Sequence, residues 1–196
     1  MKVRPAKIGI LHHILIDRME NVSRIVLSVQ RIMHNWGNSV LEGYIYLTMH
    51  WRYLDRIKHV VRELEFEKYL CILCKILMLK VAEKISKSDG YNVIVTGEAI
   101  GQVASQTLRN ISIISSFIKT PILRPLACLN KQEIINTLER LQPEYHMLVS
   151  KYICPFTPRK PSAKGSLRVA KELYEKVNLE QIAEEEYRGL AKVRIL

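Results

Sequence analysis

Short β-branched runs alternate along this chain with stretches whose apolar residues recur at helical spacing, and that alternation restricts it to an α/β architecture. Residues 7–16 form an apolar run suited to a buried strand. Val22, Ile25, Val26, Val29, Ile32 and Met33 follow at helical spacing and end near Gly37. The aromatic and β-branched segment 42–50 reads as a second strand, followed by a helix carrying Leu54, Ile57, Val60, Val61 and Leu64. A further helix runs from Leu70 to Ile85 and is closed by Ser88-Asp89-Gly90, where glycine accepts the left-handed conformation. The NVIVT run at 92–96 suits a strand buried on both faces of a parallel sheet, and 122–128 reads as another with Pro125 at its edge. Asn130 and Glu133 have the spacing of a capping box for a helix reaching about Leu141. Strands joined by helices of this length require right-handed crossovers in one open, mostly parallel sheet.

Residues 143–165 break the pattern with four prolines and read as an ordered loop, and 167–190 read as a charged helical tail. The expected organisation is an α/β domain over 1–165 with a C-terminal helical tail over 166–196. That tail could pack on the domain or make a homodimer.

With 196 residues the chain can bury a core without disulfides, and its 48% hydrophobic content excludes disorder as a description of the whole. No segment reaches the roughly 18 uninterrupted apolar residues of a membrane span, so the reading is a cytoplasmic protein with no membrane partner. The 30 Lys+Arg against 19 Asp+Glu give a formal charge of +11, which favours a polyanionic partner through counterion release. Arg52, Arg56 and Arg62 recur on one predicted helix, where a solvated basic face is the commoner meaning.

In an open α/β sheet ligands bind at the carboxyl ends of the strands. Gly97 and Gly101 occupy that place, and Glu98, Gln102, Ser105, Gln106 and Asn110 are able to bond base, ribose or phosphate. A glycine-terminated strand whose polar residues merely cap the next helix fits the same spacing. Cys71 and Cys74 lie three apart on a helix, a pattern shared by zinc, iron–sulfur, redox and packing roles. Cys128 ends an apolar run and is expected in the core. His34, His50 and His59 lack companion carboxylates at metal spacing and read as surface or capping residues, and Trp36 and Trp51 as core or interface anchors.

The run VTGEAIGQVASQTLRNI at 95–111, with LRPLACLNKQEII at 123–135 and CILCKILMLKVAEKI at 71–85, closely resembles the C-terminal catalytic domain of tRNA 4-thiouridine synthetases. The resemblance is strong from Cys71 to Leu141, weaker from Cys154 to Lys164, and faint before that. It implies a Rossmann-like PP-loop fold of the adenine nucleotide α-hydrolase type, which adenylates a uridine in tRNA before a protein-bound sulfur displaces AMP. On this resemblance Gly97 and Gln106 help hold ATP with magnesium. Lys75 stands where the family usually has arginine, and His12 or His13 matches a histidine that touches nucleotide. Lysine keeps the charge but loses the planar fork.

Cys154, seven residues before Pro161-Ser162-Ala163-Lys164, matches the family's sulfur-carrying cysteine, with Arg159, Lys160 and Lys164 lying toward RNA. Positive charge nearby would activate it as a thiolate. Cys71, Cys74 and Cys154 together supply three soft ligands, enough for an iron–sulfur cluster with one open corner. The sulfur itself would come from a donor protein or sulfide.

The main departure is that the sequence has no Gly-Gly pair, so the family's SGGxDS loop is not within it. The domain is therefore expected to be truncated at the N-terminus, with the PP-loop, and an RNA-binding module of the THUMP type, on a partner chain. A non-catalytic nucleotide- or RNA-binding subunit, or a degenerate paralogue, is the alternative.

Overall fold

The computed structural model describes residues 6–13, 40–48, 50–141 and 154–194. Strand β1, Ala6–His13, pairs in parallel with β2, Val40–Thr48. The helix expected over 22–33, and with it Trp36 and His34, lies outside the described residues. Helix α1, His50–Glu63, follows β2, and helix α2, Leu70–Asp89, follows α1.

Helix α2 is the axis of the molecule. Leu70, Ile72, Leu73, Ile76, Leu77, Leu79, Val81 and Ile85 are buried around much of its circumference, as an apolar helix packed on several sides must be. It ends on Gly90 at φ 76°, the left-handed cap foreseen in SDG.

Strand β3, Ile94–Val95, pairs in parallel with β4, Ile122–Leu123. Helix α3, Leu108–Ser115, lies between them, with Thr107 capping it by accepting from the Asn110 amide at 3.3 Å. β4 is shorter than the expected 122–128, because Arg124-Pro125-Leu126-Ala127 closes a turn in which the Ala127 amide donates to the Arg124 carbonyl at 3.1 Å. Proline presets the second position of such a turn and has no N–H for a ladder. Beyond that turn Cys128 is exposed rather than in the core.

Helix α4, Lys131–Leu141, opens on the foreseen box: the Asn130 amide donates to Glu133 at 2.6 Å and the Glu133 amide to Asn130 Oδ1 at 3.0 Å.

The C-terminal segment is not one helix. It divides at Asn178, which has φ 52°, into α5, Leu167–Lys176, and α6, Leu179–Arg188, and both pack on α2. Ala170, Leu173, Leu179, Ile182 and Ala183 are their buried contribution. The chain then forms β5, Ala191–Arg194, antiparallel to β2. Among the described residues the strands form two groups, β1-β2-β5 and β3-β4, so β1 and β3 each have one paired edge. No helix among the described residues is long and apolar enough to cross a membrane.

Candidate functional site

The carboxyl end of β3 leads straight into Thr96-Gly97-Glu98, and the carboxyl end of β4 into Arg124. Pairing continues past the strands, since the Thr96 amide donates to the Leu123 carbonyl at 3.0 Å. This fixes Glu98, whose two oxygens are divided between cations. Lys75 of α2 donates Nζ–H to Oε1 at 2.6 Å, and Arg124 donates Nε–H to Oε2 at 2.8 Å. Thr96 Oγ1 adds a weaker bond at 3.3 Å, and Arg124 Nη2 also reaches Ser115 Oγ at 2.9 Å.

Burial pushes the Glu98 carboxyl upward, but the hydrogen bonds and charges of Lys75 and Arg124 outweigh it and hold the group below the usual carboxylate range. Two cations on one carboxylate leave a net positive charge where strand ends present a ligand site. The side chains are 21% exposed for Lys75 and 15% for Arg124, so solvent and ligands reach them. Each keeps N–H donors beyond those used by Glu98 and Ser115, which suits phosphate oxygens.

Gly97 is exposed, and a Cβ there would meet only Leu126 Cδ1 at 4.0 Å, an ordinary contact. Packing does not demand glycine at this point. Gln106 sits in a short turn, its carbonyl accepting from the Gly101 amide at 2.9 Å. His12 and His13 stand at the carboxyl end of β1, in register with Leu47 and Thr48.

Asn110 proves structural rather than ligand-binding. It is wholly buried, donating Nδ2–H to the Ala104 carbonyl at 2.8 Å and the Ser162 carbonyl at 2.7 Å and accepting from the Gly165 amide at 2.9 Å. It thereby ties the 95–110 motif to the loop that follows Cys154. Thr107, Arg109 and Tyr69 add bonds to Ala163, Gly165 and Ser166 of the same loop. A Cβ on Gly165 would approach Asn110 Oδ1 to 2.8 Å and Ile72 Cδ1 to 3.0 Å, so this glycine is required by close approach. Of the loop expected over 143–165, residues 154–165 are described, the rest lying outside the described residues, and Arg159, Lys160 and Lys164 are exposed.

Cys71, Cys74 and Cys154 are partly buried free thiols. Burial raises the Cys71 thiol, the neighbouring Cys154 raises it further, and Lys75 opposes both. Cys74 is pushed up strongly, first by burial and then by Cys71, Cys154 and Glu186. The three sulfurs are thus electrostatic neighbours. No three His, Cys, Asp or Glu side chains among the described residues converge as a metal-ligand set, so the thiols as placed do not form a cluster cage.

Cys74 has a different partner. Its Sγ lies 3.5 Å from His50 Nε2, and His50 Nδ1 lies 2.8 and 3.1 Å from the two oxygens of Glu186. Thr48 Oγ1 donates to the same Glu186 at 2.7 Å. With the thiol protonated, Sγ–H donates to Nε2 and Nδ1–H donates to the carboxylate, a consistent chain from α2 through α1 to α6. His50 and Glu186 have no exposed side-chain surface, so the expectation of a surface or capping histidine is corrected. A signal was present in the sequence: Glu186 continues the buried stripe of Leu179, Ile182 and Ala183, where a carboxylate needs a buried partner.

The family model described as Thiamine biosynthesis protein (ThiI) matches residues 11–179. The chain belongs to this family. Among its relatives, a probable tRNA sulfurtransferase of Methanocaldococcus jannaschii is 41% identical over 127 residues, covering 64% of this chain and 33% of the relative. That of Coxiella burnetii is 28% identical over 179 residues, covering 90% of this chain and 44% of the relative. The chain therefore spans a third to under half of the length of these ThiI relatives. A crystal structure of a 4-thiouridine synthetase–RNA complex with bound ATP superposes with a TM-score of 0.78 at 26% identity, over 89% of this chain and 45% of that one. The likeness confirms the PP-loop α/β fold and extends well before Cys71, where the motif resemblance was faint.

Proposed function

We propose that this ThiI-family chain takes part in tRNA thiolation, contributing one side of an ATP site and the cysteine that delivers sulfur to an adenylated uridine to give 4-thiouridine. The observation that carries the reading is the Lys75–Glu98–Arg124 network beside Gly97 at the strand ends, in a fold shared with a synthetase bound to ATP and RNA. In this reading Gly97 lets nucleotide approach the backbone, Gln106 and His12 or His13 contact it, and Lys75 stabilises phosphate charge with magnesium. Cys154 carries sulfane sulfur, accepted as a persulfide from a donor protein whose own thiolate leaves. Free sulfide, already at the oxidation level of the product, would displace AMP directly without loading Cys154. Arg159, Lys160 and Lys164 face tRNA in the cytoplasm.

In this reading an SGGxDS loop is supplied from outside these 196 residues, by the same polypeptide or by a partner bearing a THUMP-type module. Removing one oxyanion donor typically costs about 2.7–4 kcal/mol in a transition state, so the chain without that loop is expected to adenylate almost nothing.

An iron–sulfur cluster on Cys71, Cys74 and Cys154 would require Cys74 to leave His50, and iron analysis of anaerobically purified protein tests it. The absence of any Gly-Gly pair also favours a second reading, a subunit that binds tRNA or nucleotide without catalysis. The deciding experiment supplies an SGGxDS-bearing segment, ATP, sulfide and tRNA, and measures pyrophosphate and 4-thiouridine. Both products appear under the first reading; tRNA binding with neither product supports the second.

A further inference from the structure

Two basic features that are about a hundred residues apart in sequence meet in one cavity. Lys58 and Arg62, one turn apart on α1, converge with Arg159 from the loop after Cys154, around a recess of about 420 Å³ that Phe156 and Leu70 also line. That volume lies within the roughly 300–1,000 Å³ of sites that enclose small ligands. Among the described residues Glu67 is the only acidic one of its lining, and it stands 3.9 Å from an Arg62 that is 75% exposed, a weak pairing. Lys58 and Arg159 have no carboxylate partner among the described residues. The Lys58 ammonium lies 5.8 Å from the centre of the half-buried Phe156 ring, so an aromatic surface and phosphate-binding cations share the recess. The Thr157 amide donates to the Cys154 carbonyl at 3.2 Å, so the turn that starts at the candidate sulfur carrier presents this wall.

We propose that the recess binds one unpaired RNA nucleotide, its base against Phe156 and Leu70 and its backbone phosphates on Lys58 and Arg159. Cations alone would serve any duplex, because phosphates are on its outside. A recess with an aromatic wall needs a base whose face is free, and that occurs only where the strand is unstacked. This rests on the tRNA-thiolation reading and adds to it that the chain holds its substrate by a splayed-out nucleotide next to Cys154.

The test measures tRNA affinity against salt for the 196-residue chain and its variants, with thermal melts to compare folding. Lys58→Ala/Arg159→Ala should flatten the log-affinity against log-salt slope by about 1.4, two phosphate contacts at about 0.7 each. Phe156→Ala should weaken binding about five- to a hundredfold with the slope unchanged, and Phe156→Trp should retain affinity. Arg168→Ala/Lys171→Ala removes two charges from exposed positions on α5 and should leave the slope as it is. Recess variants that bind like the wild type would overturn this site while leaving the thiolation reading standing. Wild-type chain that binds no tRNA at low salt would also overturn the recess as an RNA site, whereas the thiolation reading falls only if the chain completed with the SGGxDS-bearing segment makes no 4-thiouridine. Loss of ATP binding, with RNA binding kept, would make the recess a mononucleotide site and overturn the RNA assignment.

Discussion

Two carboxylates organise this molecule in opposite ways. Glu186 is sealed, receiving hydrogen bonds from Thr48 and His50, with no exposed side-chain surface on either His50 or Glu186. Glu98 also has two main partners, but Lys75 and Arg124 are cations, both are partly exposed, and both keep donors in reserve. The closed cluster fixes where α1, α2 and α6 meet, while the open one offers positive charge at the ends of β3 and β4. Satisfied polar groups in a core act through specificity and rigidity, whereas a solvent-accessible pair can exchange a partner for a ligand.

The sharpest way to break this contrast is His50→Ala. It removes the imidazole donor from the buried Glu186 and leaves that carboxylate under-compensated, and urea unfolding should show a loss of about 3–5 kcal/mol. Gly165→Ala tests the packing that seats the Cys154 loop on Asn110, and should cost about 1–3 kcal/mol in the same assay. Glu98→Gln should lower stability by only about 1–2 kcal/mol because both cations can rehydrate, while changing nucleotide affinity, read by titration with ATP once the loop-bearing segment is supplied. A loss as large as that of His50→Ala, with unchanged ATP binding, would erase the distinction between the clusters.

How legible each cluster was follows from sequence separation. Local devices were readable: the Asn130–Glu133 box and the Gly90 cap use neighbours only, and both are present as expected. Gly97 and Lys75 were found through a motif, and their meeting through Glu98 depends on the crossover that brings α2 to the end of β3. His50 and Glu186 are 136 positions apart, so neither implied the other. β5 is four exposed residues: Ala191 and Val193 alternate with Lys192 and Arg194, but the alternation spans only two repeats at the end of a stretch dominated by helical spacing, and it marks no buried face. Asn178 broke the expected tail helix through a left-handed residue that helical spacing alone does not reveal.

The smallest effect concerns that exposed strand. Burial pushes the Asp89 carboxyl up, but hydrogen bonds from Lys192, Tyr46 and Ser88 outweigh it and hold it at about 2. A carboxylate depressed in the folded state contributes stability above its unfolded value near 3.9 and loses it as pH falls through about 2. Lys192→Ala should therefore cost less than about 1 kcal/mol at neutral pH, and its difference from wild type in urea midpoint should close between about pH 4 and 2. A difference that persists below pH 2 would show that Lys192 acts through its stacking over Tyr44 instead.

The most direct measurement is ATP binding by the chain combined with an SGGxDS-bearing segment, wild type against Gly97→Ala. Because a Cβ at Gly97 meets nothing closer than 4.0 Å, the substitution should leave the unfolding midpoint unchanged yet weaken ATP about tenfold or more, the loss of one hydrogen bond to a charged phosphate. Equal ATP affinity for the two proteins, or no binding by the completed wild type, would contradict the assignment of the β3 end as part of a nucleotide site.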